Sequence, residues 1–307
     1  MKQQTIKKEI KCSGIGLHSG QRVALCLRPA PENSGIVFEC QVKQSRRTLR
    51  LSPYNVRSTD LATTIGEDDF HVSTVEHLLA SLAGLCIDNL FVEVLGSELP
   101  IMDGSAASFV FLIRSAGIRK QKALRKVLTF KKPVLFREDN RWIRVQPGRG
   151  MGIDYTIDFD HPMVGRQHFA YHNEPDGFIQ HLARARTFGF LKDVEKLQSM
   201  GLALGGSLDN AVVLDEFGVI NPGGMRFHDE LVRHKVLDFM GDMALMGAPL
   251  WGHFEVYCSG HAFNNSFLRF LDSNRDHLLE EVEMEPARQP SFIPQPEAMP
   301  AADPVPA

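Results

Sequence analysis

The sequence has few cysteines, little net charge and no long hydrophobic run, and each of these absences excludes a class of protein. The chain of 307 residues contains five cysteines, none of them in a Cys-x-x-Cys pair. This argues against a disulfide framework and against a thiolate zinc knuckle, so we expect reduced and mostly buried cysteines. A formal net charge of -3 offers no basic surface for wrapping nucleic acid.

No apolar stretch approaches the length of a membrane span, and the first residues, MKQQTIKKEIKCSG, lack the apolar core of a signal peptide. We therefore expect a cytoplasmic protein. We also expect a monomer whose partner is a small molecule. The share of hydrophobic residues, 43%, and of charged residues, 23%, is typical of globular proteins. The length allows two domains, each with its own core.

Strand and helix patterns follow the same order in the two halves of the chain. Strand-like alternation in RVALCLRP and GIVFEC precedes the helix STVEHLLASLAGL, the strand NLFVEVLG and a helix around SFVFLIRSAG. In the second half, KPVLFRE, WIRVQPG and GIDYTIDFD precede a helix around 233–242, the strand GHFEVYCSG and a helix from NNSFLRFLDS. The pattern predicts an α+β fold of two similar domains, 1–126 and 127–282, with a cleft between their helices. The alternative is that the match is accidental, because alternation of strands and helices is common.

Two further segments stand apart from this repeat. Residues 183–215 of the second half predict a small β-α-β insert, rich in Leu, Phe and Gly. Residues 283–307 are dense in Pro and Ala, with little to bury, and predict a disordered tail.

The stretch RHKVLDFMGD places His234, Asp238 and Asp242 in one row of a helix, four residues apart. Glu230 extends the row, opposite a broad apolar face. Two aspartates late in a helix oppose the macrodipole and repel each other, which a solvated face has no reason to tolerate. A divalent cation would remove this cost, since imidazole and carboxylate one turn apart can both reach one zinc ion. The spacing also occurs by chance, so a surface row remains an alternative.

In the helix predicted at 73–84, Glu76 and His77 lie off the apolar stripe formed by Val75, Leu78, Leu79 and Leu82. They are free to face another element, and His77 is a candidate third metal ligand. The alternative for Glu76 is a capping box, since Ser73-Thr74-Val75-Glu76 fits that pattern.

Other histidines fall in loops or strands. His261, in SGHAFNN, follows a strand end, where catalytic groups are common, although a turn histidine bonded to backbone is the alternative. His168 and His172 share strand alternation without a carboxylate pattern, which indicates surface residues. The Gly-x-Gly of SGIGLHSG precedes a strand, which argues against a dinucleotide site.

Several long segments in register resemble the UDP-3-O-acyl-N-acetylglucosamine deacetylases, the zinc amidases of lipid A biosynthesis in Gram-negative bacteria. They are STVEHLLASLAGLCIDNLFVEV, ELPIMDGSAASFV, ARARTFGFL, GGSLDNAVVLDEFGVINPGGMRFHDELVRHKVLDFMGDMALMG and SGHAFNN. The resemblance extends to about residue 275. It implies two similar α+β domains with the site in the cleft between them.

The resemblance also implies a role for each matching residue. The implied zinc ligands are His77, His234 and Asp238. The implied catalytic residues are Glu76 as general base, His261 as the protonated partner, Asp242 as its orienting group and Thr187 as the oxyanion donor. The implied substrate-binding residues are Lys235 for the diphosphate, Phe159 for the uracil, Phe188, and Leu191, Val194, Leu202 and Leu204 for the acyl chain.

One departure from the family pattern is Ala62 in RSTDLATT, where a cysteine near the metal is expected; we expect it to alter metal or inhibitor behaviour and not the reaction. Iron or cobalt is an alternative to zinc for such a ligand set. The rival interpretation is a non-catalytic carrier of acylated nucleotide sugars, which would need the apolar passage and Lys235 but no base, acid and oxyanion donor around a metal.

Overall fold

A computed structural model describes residues 1–42, 45–172 and 176–284 of the chain. The strands are β1 (Lys2–Ile6), β2 (Ile10–Ile15), β3 (Arg22–Pro29), β4 (Ile36–Val42), β5 (Ser45–Arg50), β6 (Val56–Ser58), β7 (Thr64–Glu67), β8 (Phe70–Val72), β9 (Leu90–Leu95), β10 (Ile118–Leu124), β11 (Lys126–Phe130), β12 (Val134–Glu138), β13 (Arg141–Gln146), β14 (Met151–Phe159), β15 (Gly165–His172), β16 (Phe188–Phe190), β17 (Val212–Asp215), β18 (Gly218–Val219), β19 (Leu250–Tyr257) and β20 (Leu279–Glu283). The helices are α1 (Glu76–Gly84), α2 (Ala107–Ala116), α3 (Gly177–His181), α4 (Leu191–Ser199), α5 (Glu230–Met243), α6 (His261–Ser273) and α7 (Arg275–Leu278).

The main sheet of the first half has the strand order β2-β3-β9-β4-β5. Its central strand, β9, pairs antiparallel with β3 and parallel with β4, and β4 and β5 form an antiparallel pair. Alternate residues such as Leu25, Leu27 and Val92 are buried, because successive side chains of a strand point to opposite faces. One face of the sheet therefore belongs to the core.

The sheet of the second half repeats this arrangement. Its central strand, β19, pairs antiparallel with β13 and parallel with β14, while β12-β13 and β14-β15 are antiparallel pairs. The order β12-β13-β19-β14-β15 thus matches β2-β3-β9-β4-β5, both in how the strands follow one another along the chain and in their directions. The prediction of two similar sheet-and-helix units is confirmed, and the predicted strands NLFVEVLG and GHFEVYCSG overlap the two central strands. The residue at which one domain ends remains a prediction.

Helices α1 and α5, which precede the two central strands, pack against each other. Gly241 of α5 allows this contact, because a Cβ atom there would lie 2.1 Å from the carbonyl oxygen of Glu76. This close approach brings Glu76 and His77, which lie off the apolar stripe of α1, against the row of polar side chains on α5. Both Glu76 and His77 are 3% exposed.

The insert has the predicted β-α-β order. Strand β16 pairs parallel with β17, α4 connects them, and β18 pairs antiparallel with β17. The last strand, β20, pairs with β11 and ends at Glu283, with which the predicted tail begins. Residues 285–307 lie outside the described residues, so the disordered tail stays a prediction.

Three expectations need correction or comment. Of the cysteines whose side chains are described, Cys26 is buried but Cys12, Cys86 and Cys258 are only partly buried, so the expectation of mostly buried cysteines is wrong. All four are free. Helix α6 begins at His261, three residues earlier than predicted. In the described part of the chain, none of the helices is both long and apolar enough to cross a membrane.

Candidate metal centre and active site

The structure brings His77, His234 and Asp238 together where α1 meets α5. One potential ligand atom from each residue lies within 4.8 Å of those of the other two. The Nε2 atoms of His77 and His234 lie 3.6 and 3.3 Å from Oδ1 of Asp238. The three residues are 2 to 4% exposed. Two imidazoles and a carboxylate on buried helix faces therefore point into one small space.

The chemistry of these three residues fits a metal ion. Oδ1 of Asp238 is buried and has no hydrogen-bond partner among the described residues, although an unpaired buried carboxylate oxygen is costly. Nδ1 of His234 lies 3.1 Å from the carbonyl oxygen of Ala185. A carbonyl partner keeps the proton on Nδ1 and leaves the Nε2 lone pair for a metal, which is the usual arrangement around a ligating histidine.

The protonation states agree with this assignment. Burial lowers the pKa of His234 to about 3 despite the nearby Asp238, so the imidazole is neutral at pH 7. Burial opposes ionisation of Asp238, but His234 and Lys235 outweigh it and hold the pKa of this carboxyl well below its usual range. Neutral imidazole and ionised carboxylate are the forms that bind metals.

Glu76 lies beside His77 at the start of α1. Its Oε2 accepts a hydrogen bond of 3.0 Å from the backbone N–H of Thr63. The N-cap of α1 is Val75, without a side-chain capping bond, so the capping-box alternative for Glu76 is wrong. Burial raises the pKa of Glu76, with His261 and His77 acting in the opposite direction. Such a carboxylate holds a proton more readily than an exposed one.

His261 contacts Asp242. Its Nδ1 lies 2.8 Å from Oδ2 of Asp242, and its Nε2 lies 3.9 Å from Oδ2 of Asp238. The free edge of the ring therefore faces Asp238. Burial would lower the pKa of His261, but Asp242, through its charge and hydrogen bond, raises it to about 9. The imidazole is accordingly cationic at neutral pH.

Two residues that sequence reasoning missed complete the surroundings of Asp242. The hydroxyl of Thr63 donates to its Oδ1 at 2.6 Å, and Nδ2 of Asn264 donates to its Oδ2 at 2.7 Å. Asn264 stands in SGHAFNN and Thr63 follows Ala62, so both are in segments already singled out. No spacing pattern distinguishes them, because their roles depend on contacts across the fold.

Lys235 and two aromatic residues lie next to the ligands. Nζ of Lys235 donates to Oδ2 of Asp238 at 2.8 Å and lies 5.5 Å from the ring centroid of Phe188. The ring of Phe188 lies 6.4 Å from the ring of His234 and 5.8 Å from that of Phe159. Lys235, Phe188 and Phe159, for which the resemblance implied substrate binding, thus lie close to one another. Burial opposes the positive charge of Lys235, but Asp238 raises its pKa.

Thr187 directly precedes Phe188, the first residue of β16 in the insert. The backbone N–H of Thr187 donates to the carbonyl oxygen of Gly104 at 2.8 Å, and the residue is half-buried. Leu191 at the start of α4 is exposed, whereas Val194 and Leu202 are half-buried and Leu204 is 52% exposed. Neither the oxyanion role of Thr187 nor the acyl passage is tested by these positions.

The loop of SGIGLHSG, between β2 and β3, also reaches this region. Nε2 of His18 is buried and has no hydrogen-bond partner among the described residues. The loop is held by Glu98, which accepts bonds of 2.9 Å from the backbone N–H groups of His18 and Ser19. The carbonyl oxygen of His18 accepts from the N–H of Leu204. The insert is therefore anchored to the first half of the chain.

Glu230, the first member of the polar row, does not belong to the centre. Its Oε1 accepts bonds of 3.0 and 2.8 Å from the backbone N–H and Nε of Arg186, and both residues are buried. Arg186 directly follows Ala185, whose carbonyl orients His234. Glu230 therefore fixes the segment that supports a ligand.

Known proteins resemble this chain over nearly all of it. The sequence profile of the family described as UDP-3-O-acyl N-acetylglycosamine deacetylase matches residues 3–273. Three relatives carry the name UDP-3-O-acyl-N-acetylglucosamine deacetylase. The protein of Oleidesulfovibrio alaskensis is 55% identical over 306 residues, 99% of each chain. That of Nitratidesulfovibrio vulgaris is 56% identical over 289 residues, 94% of each chain. That of Lawsonia intracellularis is 51% identical over 285 residues, 93% of each chain.

Proposed function

Because the chain belongs to the UDP-3-O-acyl N-acetylglycosamine deacetylase family, we propose that it hydrolyses the N-acetyl group of UDP-3-O-acyl-N-acetylglucosamine with the help of a zinc ion. The products are acetate and UDP-3-O-acyl-glucosamine, in an early step of lipid A biosynthesis. The observation that carries the proposal is the unpaired Oδ1 of Asp238, facing two imidazoles beside a base and a cationic histidine.

His77, His234 and Asp238 would hold the metal. When bound, zinc supplies a Lewis acid for the acetyl carbonyl and for the attacking water. The three protein ligands form the number typical of catalytic zinc sites, which leave one position open. The carbonyl of Ala185 keeps His234 in its ligating tautomer, and burial of all three residues excludes bulk water.

Glu76 acts as the general base. It takes a proton from water as the water oxygen forms a bond to the acetyl carbon. The N–H of Thr63 fixes one carboxylate oxygen, so the other is available for the proton. The raised pKa that burial gives Glu76 suits this role, since a base works best when its pKa approaches the working pH.

His261 acts as the acid. Its proton on Nε2 is directed to the edge of the three ligands, where it stabilises the developing oxyanion and then passes to the departing amine as the carbon–nitrogen bond breaks. Asp242 keeps the ring charged and fixes its orientation. Glu76 and His261 thus have pKa values displaced in the directions that a base and an acid require.

The remaining residues bind the substrate. The hydroxyl of Thr187 donates to the oxyanion, and Lys235 faces the diphosphate. The rings of Phe159 and Phe188 lie together near Lys235 and offer a surface for the uracil. Leu191, Val194 and Leu202 of the insert line the acyl passage, with Leu204.

The test is acetate release from UDP-3-O-acyl-N-acetylglucosamine by purified protein. It is measured before metal removal, after chelation and after one equivalent of zinc is added back. We expect activity, its loss and its recovery. Substrate binding without acetate release in all three samples would instead favour the carrier function.

A further inference from the structure

The outer face of the second-half sheet carries histidines that the proposed reaction does not use. Residues Ile153 and Tyr155 of β14 are buried, and the ring of Tyr155 lies 6.0 Å from that of Phe239 on α5. Because side chains alternate along a strand, Gly152 and Asp154 face the opposite way. The outer face is therefore separated from the active-site helix by the sheet itself.

Gly152 is flanked on this face by two histidines. It pairs with His172 in β15 and with His253 in β19. Adjacent strands lie about 4.8 Å apart, so two histidines separated by a whole strand have backbones about 10 Å apart. Their rings nevertheless stack with centroids 6.2 Å apart and an angle of 20° between the planes. Both side chains thus lean over the glycine between them.

The position of the ring nitrogens shows what they lean toward. A Cβ atom at Gly152 would lie 2.7 Å from Nδ1 of His253 and 3.5 Å from Nδ1 of His172. The two nitrogens therefore converge on the space that the missing side chain leaves open. A substitution at this glycine would fill that space.

Asp154 sets the tautomer of one of these histidines. Its Oδ2 lies 2.8 Å from Nε2 of His253. A carboxylate beside Nε2 favours the tautomer that carries the proton there, which would leave the lone pair of Nδ1 over Gly152. Ligating histidines commonly have this carboxylate partner on their other nitrogen. The carbonyl of Ala185 has the same function for His234.

We propose that His172 and His253 form a second, peripheral site for a divalent transition metal on the outer face of the sheet, with Asp154 holding His253 in the ligating tautomer. Imidazole nitrogens favour nickel, copper and zinc over magnesium and calcium. The side chain of His253 is 36% exposed, so water completes the coordination shell. Within the described residues, β15 pairs only with β14, and the bound metal would connect this edge strand to β19.

Nickel is the probe that tests the site. Protein as purified is analysed for zinc, dialysed against Ni²⁺ and analysed again for both metals, so that exchange at the first centre is distinguished from additional binding. We expect zinc to be retained and one further equivalent of nickel to bind. The melting temperature should rise with nickel concentration, because a ligand that binds only the folded state stabilises it. Acetate release should be unchanged.

Variants locate the nickel. His172→Asn and His253→Asn should each weaken nickel binding at least ten-fold and abolish the rise in melting temperature, and Gly152→Ala should do the same by filling the gap. His71→Asn, at an exposed histidine of β8, should bind nickel like the wild type. Asp154→Asn keeps an acceptor beside Nε2 of His253 and should therefore retain a higher affinity for nickel than Asp154→Ala.

Three results would overturn the site. The first is no second equivalent of metal on the wild type. The second is nickel that replaces zinc one for one. The third is additional nickel that both His172→Asn and His253→Asn still bind. None of these outcomes bears on acetate release, so failure of the peripheral site is distinguishable from failure of the proposed reaction.

Discussion

Replacing Glu76 by Gln should abolish most of the activity without weakening the fold. The amide has nearly the same shape, and its Oε1 can still accept the N–H of Thr63, which lies 3.0 Å from the carboxylate. The substitution removes only the proposed ability of this side chain to accept a proton. A positioned general base contributes about 10²- to 10⁴-fold, so kcat should fall by that factor, or about 3–5 kcal/mol of activation free energy, while zinc content stays at the wild-type level.

The stability of the metal-free protein provides an independent check. Burial raises the pKa of Glu76 above the ordinary value of 4.5, so the folded state binds a proton that the unfolded state releases. The free energy of unfolding therefore falls as the pH rises between the two pKa values. Ionisation of the buried carboxyl is therefore unfavourable in the folded state, and the neutral amide avoids this cost. Metal-free Glu76→Gln should melt at the same temperature as the wild type or higher.

Three assays separate the outcomes: acetate release at saturating substrate, zinc content after dialysis, and thermal melting after chelation. Glu67→Gln, at an exposed position of β7, is the matched control and should behave like the wild type in all three. Activity within ten-fold of the wild type would refute the role of Glu76 as general base. A melting temperature well below that of the wild type would refute the argument from burial.

Further predictions concern the groups around this base. His234→Ala should weaken zinc binding at least ten-fold in competition with a chelator, because it removes a ligand. Asp242→Asn should lower the pKa of His261 from about 9, because burial without the negative charge of Asp242 disfavours the cationic imidazole. An NMR titration of the metal-free protein should show that His261 loses its proton at a lower pH than in the wild type. Glu230→Ala should reduce the free energy of unfolding in urea by about 3–5 kcal/mol, because it leaves the buried Arg186 unpaired.

Each of these predictions has a result that would contradict it. Zinc affinity unchanged in His234→Ala would remove this residue from the ligand set, with His277→Ala as the exposed control. A His261 pKa that stays near 9 without the Asp242 charge would show that another group sustains it. A loss of stability in Glu230→Ala no larger than in Glu67→Ala would mean that the ion pair with Arg186 contributes little.

Short-range patterns in the sequence were sufficient for some parts of the centre. His234 and Asp238 share a helix, so their proximity follows from the helical repeat. The two central strands and their flanking helices could be recognised in the same way, because alternation and helical periodicity are local properties. The assignment of roles to Glu76, His261 and Thr187 rested on the family resemblance, since residue spacing does not indicate which group loses or gains a proton.

The parts that escaped prediction depend on contacts between distant segments. Thr63 and Asn264 surround Asp242 from two directions, separated from it by 179 and 22 residues. The carbonyl of Ala185, which sets the tautomer of His234, is a backbone group that every residue type possesses. The row of His172, Gly152 and His253 exists only when three strands are paired in register, so residue spacing along one strand does not reveal it.

Gly241 shows that a local signal for the long-range arrangement was nevertheless present. Glycine inside a helix costs about 1 kcal/mol relative to alanine, yet Gly241 lies between Asp238 and Asp242 in α5. Glycine is needed at this position because a Cβ atom would lie 2.1 Å from the carbonyl oxygen of Glu76. The same contact brings the start of α1, with Glu76 and His77, against His234 and Asp238. A glycine beside a row of polar residues therefore indicates where a second helix must approach, and the proposed base and third ligand lie on that helix.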